Sequence, residues 1–228
     1  MKLLVDIGNT RSKAVLSDNG KLTPVSYHLD LFEQYDIKQL TYASVRHDES
    51  AISLEAKARQ VGASLTQVKT SSEAFGVKCA YKKYQTLGID RWLAVLGAVH
   101  EFPNQNVIVV DAGTATTVDF VHSNKIHEGG WIIPGLELMT SSIAQKADKV
   151  FDDIGTDYHY GLGKATPEAL KFGCLAAQLG VVRQAVEYFG LAAKLVIGGG
   201  TASLMLKPLA DLNPHHDDLI VFKGLDLF

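Results

Sequence analysis

The chain has 228 residues, with 22 Lys or Arg and 25 Asp or Glu, so its formal net charge at pH 7 is −3. This balance argues against a general nucleic-acid-binding protein, which would carry an excess of basic residues. Hydrophobic residues make up 46% and charged residues 21%, values that are ordinary for a globular protein and disfavour disorder. The length corresponds to one large domain or two small lobes.

Cysteines and apolar runs indicate the cellular setting. The only two cysteines, Cys79 and Cys174, cannot form a disulfide framework or a cysteine-rich metal site, and they fit a reducing cytosol. The N-terminal apolar stretch is too short for a signal peptide, and no apolar run approaches the ~20 residues of a membrane span. We therefore expect a cytoplasmic protein that does not associate with membranes.

The first part of the chain predicts a β-hairpin followed by alternating helix and strand, the pattern of an α/β fold. Lys2–Asp6 is an apolar run that ends in Asp-Ile-Gly-Asn, as a strand does when it enters a turn. A second strand over Arg11–Ser17 stops at Asp-Asn-Gly, which is a hairpin signal. Further strands are expected at 21–28, 39–44 and 64–68, and an amphipathic helix at 49–61 with an apolar face of Ala51, Ile52, Leu54 and Ala58.

The strongest predicted helix is Ile89–Phe102, which ends before a Pro-Asn pair and carries a continuous apolar stripe. A long helix over Thr166–Tyr188 starts with Thr-Pro-Glu, which makes Thr166 its N-cap. Strands are expected around these helices at 107–111, 115–121, 125–133 and 195–197.

One short motif occurs twice. Leu-Val-Asp-Ile-Gly-Asn-Thr at 4–10 recurs as Val-Val-Asp-Ala-Gly-Thr-Ala at 109–115, and the two aspartates, Asp6 and Asp111, lie 105 positions apart. This spacing predicts two lobes of similar topology, each opening with a hairpin whose tip carries an Asp. No linker rich in Pro or Ser separates them, so the expected boundary near residue 103 divides the chain into 1–103 and 104–228.

Such a hairpin tip suits the binding of phosphate. A glycine lets the backbone approach an anion and point N–H groups at it, and further donors come from Asn9, Thr10, Thr114 and Thr116. A carboxylate at the strand end can hold a hard cation, directly or through water, that neutralises the phosphates. The alternative is an ordinary Asp-x-Gly turn, which either copy alone would favour, whereas the matched pair favours phosphate.

The pair of tips resembles the acetate and sugar kinase/heat-shock protein 70/actin superfamily, and longer motifs resemble its type III pantothenate kinases. Asp-Ile-Gly-Asn-Thr-Arg-Ser-Lys at 6–13 is similar to the family's first phosphate motif. Tyr81 with Leu-Gly-Ile-Asp-Arg-Trp at 87–92 resembles its pantothenate motif. Asp-Ala-Gly-Thr-Ala-Thr-Thr-Val-Asp at 111–119 resembles its second phosphate motif.

Weaker matches continue in the family's order at 129–135, 162–173, 196–202 and 223–225. The chain departs from the family pattern at Tyr84, where Pro is usual, and at Gly198 and Thr201, which replace polar members of the glycine segment. The resemblance implies an α/β fold with two lobes of ribonuclease H-like/actin-like topology and the nucleotide site in the cleft between them. It also implies a homodimer.

The resemblance further implies a role for each matching residue. Asp90 would be the catalytic base, Asp111 would bind a monovalent cation, K⁺ or NH₄⁺, and Asp6 would bind Mg²⁺, directly or through water. The ATP phosphates would contact Asp6, Ile7, Gly8, Asn9, Thr10, Arg11, Ser12, Lys13, Gly113 and Thr114. Pantothenate would contact Tyr81, Gly88, Ile89, Asp90, Arg91 and Thr166.

Several of these residues have a plainer interpretation. Asp90 could only favour the positive end of a helix dipole, and Arg91 could be a surface charge of the same helix. Lys13 could be a solvated strand lysine, and Tyr81 an exposed or half-buried aromatic residue. A pantothenate contact of Thr166 is compatible with its expected N-cap role, because a helix start is rich in donors.

The sequence therefore predicts an ATP-dependent kinase that makes 4′-phosphopantothenate, the first step of coenzyme A synthesis. Two other functions stay open: a non-catalytic accessory transcriptional regulator of the same fold, and a kinase for another small alcohol or sugar. The presence of the charged residues that catalysis would need favours the kinase; they are Asp6, Lys13, Asp90, Arg91 and Asp111.

Overall fold

The structure is a computed structural model that describes residues 1–8, 12–45, 49–147 and 149–228. The chain forms two compact units, one comprising Met1–Glu101 and Leu219–Phe228, the other Phe102–Asp218. The boundary expected from the sequence assigned all of 104–228 to the second lobe, whereas the C-terminal segment belongs to the first unit. A helix crossing, described below, is the physical reason for this difference.

The first unit is built on a five-stranded sheet. Its first three strands form an antiparallel meander, and the last two run parallel to the first strand. The order is β3-β2-β1-β4-β5, where the strands are β1 (Lys2–Ile7), β2 (Ser12–Asp18), β3 (Lys21–Val25), β4 (Gln39–Ser44) and β5 (Ser64–Val68). The elements that accompany the sheet are α1 (Leu31–Gln34), α2 (Glu49–Gln60) and a small ribbon of β6 (Glu73–Ala74) and β7 (Val77–Lys78).

Helix α3 (Ile89–Glu101) is buried along most of its length because the C-terminal helix α7 (Ile220–Asp226) crosses it at two glycines. A Cβ on Gly97 would lie 2.2 Å from a backbone oxygen of α7, and a Cβ on Gly224 would lie 2.0 Å from Leu93 O. A larger residue fits at neither position without backbone movement. This close crossing joins the end of the chain to the first unit.

The second unit repeats the topology of the first. Its five-stranded sheet has the order β10-β9-β8-β11-β12, which matches the first sheet strand for strand when each is counted from its opening strand. The strands are β8 (Val107–Ala112), β9 (Ala115–Val121), β10 (His127–Pro134), β11 (Lys194–Gly198) and β12 (His215–His216). The α/β fold class with ribonuclease H-like/actin-like topology is therefore confirmed, and the repeated Asp-x-Gly motif marks the same hairpin in both units.

The helices of the second unit, among its described residues, are α4 (Leu136–Lys146), α5 (Thr166–Phe189), α6 (Ser203–Leu206) and a 3₁₀ turn at Ala210–Leu212. The sheet and α5 share the core, and the helix contributes buried side chains that include Leu170, Cys174, Leu175, Leu179 and Val182. The described residues between α4 and α5 form no helix or strand, and irregular segments of this length in a compact unit commonly carry function. Throughout the part of the chain that the structure describes, none of the helices is long and apolar enough to cross a membrane.

Several details of the sequence prediction are wrong, and one is the third strand, which was expected over 21–28 but ends at Val25. Ile52, expected on the buried face of α2, is 55% exposed, because the buried face of that helix consists of Ala51, Leu54 and Ala58. The strand expected to start at residue 125 starts at His127. Lys125 has a positive φ of 65° and therefore belongs to the turn that joins β9 to β10.

Candidate active site

The first hairpin carries the first phosphate motif where β1 ends and β2 begins. Asp6 is half-buried and lies opposite Lys13 in the register of the two strands, and Lys13 is exposed. Ile7 pairs with Ser12 and is fully buried, so its side chain anchors the strand end in the core and only its backbone can meet a ligand. Gly8 is half-buried. Three residues expected to contact phosphate lie outside the described residues: Asn9, Thr10 and Arg11.

The second phosphate motif forms the turn between β8 and β9. Gly113 N donates a hydrogen bond of 3.1 Å to Ala115 O, and Thr114 at the tip is exposed. Gly135 N donates a hydrogen bond of 3.0 Å to Thr114 O, and a Cβ on residue 135 would lie 2.2 Å from Gly113 O. Glycine is thus required at 135 for the backbone to approach the turn and support it.

Asp111 is half-buried near the end of β8, beside the glycine segment that follows β11. Gly198 is its register partner, and a Cβ on Gly199, whose φ is +100°, would lie 2.5 Å from Asp111 Oδ1. Thr201 holds the same strand end, since its N and Oγ1 both donate to Ala112 O, at 3.0 and 3.1 Å. The segment that departs from the family pattern therefore packs directly against the Asp111 carboxylate.

Asp90 is the second residue of α3, and its side chain is half-buried. Its Oδ1 accepts a hydrogen bond of 2.8 Å from Arg91 N. A Cβ on Gly88 would lie 2.5 Å from the same oxygen, so a glycine at 88 makes room for the carboxylate. Ile89 is 7% exposed and fixes the helix start in the core. The helix start and the hydrogen bond both stabilise the ionised carboxylate, which is the form that a general base requires.

Arg91 is not a surface charge. It is only 5% exposed, and its Nη1 donates a hydrogen bond of 3.1 Å to Tyr81 Oη. Its guanidinium carbon also lies 5.8 Å from the centre of the Tyr81 ring. A buried guanidinium requires polar partners to offset its desolvation, and it binds carboxylates in paired, charge-assisted contacts. The Arg91–Tyr81 pair is therefore a candidate site for an acidic substrate group.

Thr166 is exposed, as a substrate contact requires, but it is not the N-cap of α5. Ala165 occupies the cap with extended backbone angles, and it forms no side-chain cap hydrogen bond. Instead, Glu168 Oε2 accepts a hydrogen bond of 2.8 Å from Lys164 N. A Cβ on Gly163 would lie 2.2 Å from a backbone nitrogen of the first helical turn, so the preceding loop closes tightly on the helix start. This closure leaves Thr166 as the first helical residue.

The irregular segment before α5 is attached to this helix by the buried ammonium group of a lysine side chain. Lys171 is 7% exposed, and its Nζ donates to Asp153 O at 2.9 Å and to Thr156 O at 2.6 Å. The same Nζ lies 2.9 Å from Asp152 Oδ1. Tyr158 shares a hydrogen bond of 3.0 Å with a threonine of α4, and burial raises the pKa of its phenol. The segment that leads to Thr166 is therefore ordered by contacts with both neighbouring helices.

Each hairpin tip carries a carboxylate of a kind that can bind a cation together with phosphate. Within the ranges that the structure describes, no group of three or more His, Cys, Asp or Glu side chains forms a metal site. Asp6 in the first unit and Asp111 in the second each offer hard oxygen ligands, and Gly199 packs so closely against Asp111 that a Cβ there would lie 2.5 Å from Oδ1. Mg²⁺ commonly binds through one or two carboxylates and substrate phosphates and keeps several waters. The donor set fits such a cation better than a cage made only of protein groups.

The structure groups the predicted residues within each unit. In the first unit, Asp90, Arg91 and Tyr81 form one connected cluster. In the second unit, Gly113 and Thr114 form a supported turn. Thr116, expected to add a phosphate donor, is 1% exposed, because it lies on the core side of β9. Two buried polar residues of α5, Lys171 and Gln178, were not identified from the sequence. The only sign of them in the sequence is a polar residue on an otherwise apolar face of the helix.

Comparison with known families and proteins gives a consistent result. A family model described as "Type III pantothenate kinase" matches residues 2–188. The type III pantothenate kinase of Pseudoalteromonas translucida is 38% identical over 227 residues, covering 99% of this chain and 95% of that protein. The type III pantothenate kinase of Colwellia psychrerythraea is 33% identical, covering 92% of this chain and 88% of that protein.

A solved structure shares the fold over the full chain. The crystal structure of a Campylobacter jejuni protein assigned to the Baf family of transcriptional activators superimposes with a TM-score of 0.62. The match covers 99% of this chain and 96% of that chain at 23% sequence identity, a level at which the likeness concerns the fold alone.

Proposed function

The chain belongs to the type III pantothenate kinase family, and on this premise we propose that it transfers the γ-phosphoryl group of ATP to pantothenate. The product would be 4′-phosphopantothenate, and the reaction would be the first step of coenzyme A synthesis. The observation that carries the proposal is the hydrogen bond between buried Arg91 and half-buried Tyr81, beside the Asp90 carboxylate. It combines a group that binds a substrate carboxylate with a group that accepts a hydroxyl proton.

In this reaction Asp90 accepts the proton of the pantothenate hydroxyl as its oxygen attacks the γ-phosphorus. The new P–O bond forms while the bond between the γ-phosphorus and the ADP oxygen breaks, and the electron pair of that bond leaves with ADP. An ordinary aspartate is a weak base, with a pKa near ~3.9 in model peptides. Phosphoryl transfer tolerates a weak base, because its transition state is loose and positioning dominates catalysis.

Substrate contacts would be divided among three groups of residues. Arg91 would bind the pantothenate carboxylate, with Tyr81 fixing the orientation of the guanidinium. Thr166, exposed at the start of α5, would bind a polar group of the same substrate. The ATP phosphates would contact the two hairpin tips, with Lys13 and Thr114 as the exposed side chains of those tips.

Two cations belong to the proposal. Asp6 would hold Mg²⁺, directly or through water, and Asp111, half-buried near the end of β8, would hold K⁺ or NH₄⁺. When bound, these cations would neutralise the phosphate charge that develops during transfer.

We further infer that the protein acts as a homodimer in the cytoplasm. Large apolar side chains on α4 and the irregular segment after it support this inference, because contiguous exposed apolar surface is typical of protein interfaces. The side chains in question are Leu138, Ile143, Phe151, Ile154, Tyr160 and Leu162.

One assay tests the function. The purified chain is incubated with ATP, Mg²⁺ and K⁺, and ADP release and the phosphorylated product are measured with pantothenate beside a panel of sugars and small hydroxy acids. Among the acceptors tested, we expect only pantothenate to be phosphorylated. Phosphorylation of a sugar in its place would favour a kinase for another small alcohol or sugar. No turnover with any acceptor would favour a regulator without catalytic activity.

A further inference from the structure

Gln178 is a fully buried amide on the core-facing side of α5. Its neighbours on this face, Leu175 and Leu179, belong to the hydrophobic core of the second unit. Its Nε2 donates a hydrogen bond of 2.7 Å to Pro134 O and lies 3.5 Å from Met139 Sδ. Its Oε1 accepts no hydrogen bond from any protein group that the structure describes.

Such a residue is poorly suited to a purely structural role. Burying an amide whose oxygen is not matched by a donor carries a desolvation cost that lowers stability. The useful part of Gln178 is therefore its donor, which reaches a backbone carbonyl 44 positions away in the sequence.

Pro134 O, which accepts the hydrogen bond from Gln178, belongs to the same peptide group as Gly135 N, and Gly135 N supports the second phosphate turn. Gly135 N donates to Thr114 O at 3.0 Å, and the absence of a side chain at 135 lets its backbone approach Gly113 O. Gly135 is the N-cap of α4, and its carbonyl oxygen accepts the first hydrogen bond of that helix, from Met139 N. A hydrogen bond that fixes Pro134 O consequently fixes the peptide that supports the turn.

We propose that Gln178 is a positioning residue for the second phosphate motif. By holding the Pro134–Gly135 peptide, it keeps the Gly113–Thr114 turn in the geometry that binds ATP phosphate. Because the same helix begins at Thr166, α5 links the support of the phosphate turn to a residue assigned to pantothenate. The functional part of this inference rests on the kinase activity proposed above.

The test uses the full chain and a variant that removes only the donor. Gln178→Met has similar length and volume, keeps the packing and cannot donate to Pro134 O. Leu179→Met is the matched control, a comparable change at the next buried position of the same core. Gln178→Leu is a second variant without the donor, for use if the methionine variant folds poorly.

Two readouts are taken on each protein. Hydrogen exchange measures the protection of the Gly135 amide, and steady-state kinetics measures KM for ATP and for pantothenate. For Gln178→Met we expect the Gly135 amide to exchange about tenfold faster and KM for ATP to rise about tenfold, as for the loss of one buried hydrogen bond. KM for pantothenate should match that of Leu179→Met. A structural role alone would move the melting temperature and leave KM for ATP unchanged.

The outcomes separate this inference from the proposed function. If Gln178→Met and Leu179→Met have the same Gly135 exchange, Gln178 does not position the peptide and the inference is wrong. Faster exchange with an unchanged KM for ATP would likewise overturn the link to the phosphate site. If the wild-type chain has no kinase activity, the proposed function fails, and a nucleotide-binding titration replaces KM for ATP beside the exchange measurement.

Discussion

Arg91 Nη1 donates a hydrogen bond of 3.1 Å to Tyr81 Oη, which joins the first turn of α3 to the loop that precedes it. The guanidinium is nearly fully buried, whereas the tyrosine is half-buried. A planar guanidinium fixed at one edge keeps its remaining N–H groups in a defined direction. This arrangement suits the recognition of a carboxylate, and it connects the binding residue to the catalytic candidate Asp90 along the chain.

The role of this pair can be tested with Tyr81→Phe. The change removes the hydroxyl and keeps the ring, so Arg91 loses the hydrogen bond to Tyr81 Oη while the packing is retained. We expect KM for pantothenate to rise by roughly 10- to 150-fold, as for a hydrogen bond to a charged group, with little change in KM for ATP. Steady-state kinetics measures both values. Tyr84→Phe, a half-buried tyrosine of the neighbouring 3₁₀ turn, is the control, and an equal effect of both variants would contradict the assignment.

Sequence reasoning was most successful where a pattern is local. The strands at 39–44, 64–68 and 115–121 have the predicted bounds, and α3 ends one residue before its predicted end, because their apolar periodicity and turn residues are continuous in the chain. The repeated Asp-x-Gly motif predicted the repeated hairpin for the same reason.

The larger failures concern contacts that no pattern of neighbouring residues specifies. No local signal places the C-terminal helix on α3, since that contact depends on Gly97 and Gly224 meeting in space. The N-cap prediction for Thr166 followed a sound propensity, but the close approach of Gly163 to the helix start makes Ala165 the cap. The support of the phosphate turn by Gly135 and Gln178 is equally invisible to a pattern of neighbours.

The glycine crossing of α3 and α7 gives a prediction for stability. Gly224→Ala would place a Cβ 2.0 Å from Leu93 O, a backbone atom that cannot move alone. We expect the free energy of unfolding to fall by about 1–3 kcal/mol or more, the cost of overpacking. Gly180→Ala is the control, because the added Cβ on this helical glycine of α5 would meet no atom within 4 Å. That variant should gain about 0.5–1 kcal/mol from helix propensity. Denaturant unfolding of both proteins measures the difference, and equal stability would contradict the crossing.

The proposed monovalent cation leads to a prediction about salts. If Asp111 shares such an ion with ATP phosphate, activity in K⁺ or NH₄⁺ should be well above activity in Na⁺ at equal ionic strength. The comparison is made at saturating Mg²⁺, and chelation of Mg²⁺ should abolish turnover in all salts. Asp111→Asn should lower the activity in K⁺ toward the level in Na⁺. Equal rates of the wild-type protein in the three salts would refute the role of Asp111.

One chain has a mass of 24.7 kDa, and the proposed homodimer predicts twice this mass in solution. Light scattering coupled to size exclusion at micromolar concentration measures it. Ile154 is fully exposed and Leu162 nearly so, and Ile154→Asp with Leu162→Asp should weaken the dimer without unfolding the chain, because neither side chain contributes to a core. Ile52→Asp, an exposed apolar residue of the first unit, is the control. A wild-type mass near that of one chain would count against the dimer.

The catalytic assignment is tested by Asp90→Asn, which removes the base while keeping the shape of the side chain. The Asn oxygen can still accept the hydrogen bond from Arg91 N, so the start of α3 should stay intact. General-base contributions are commonly ~10²–10⁴-fold, and we expect kcat to fall by about this factor while nucleotide binding persists. If Asp90 only favoured the helix dipole, the variant would lose ~0.3–1 kcal/mol of stability and keep its activity. Glu101→Gln removes a carboxylate at the other end of the same helix and should leave kcat unchanged. Measuring kcat and the melting temperature on one preparation separates the two roles, and a folded Asp90→Asn protein with near wild-type kcat would exclude Asp90 as the base.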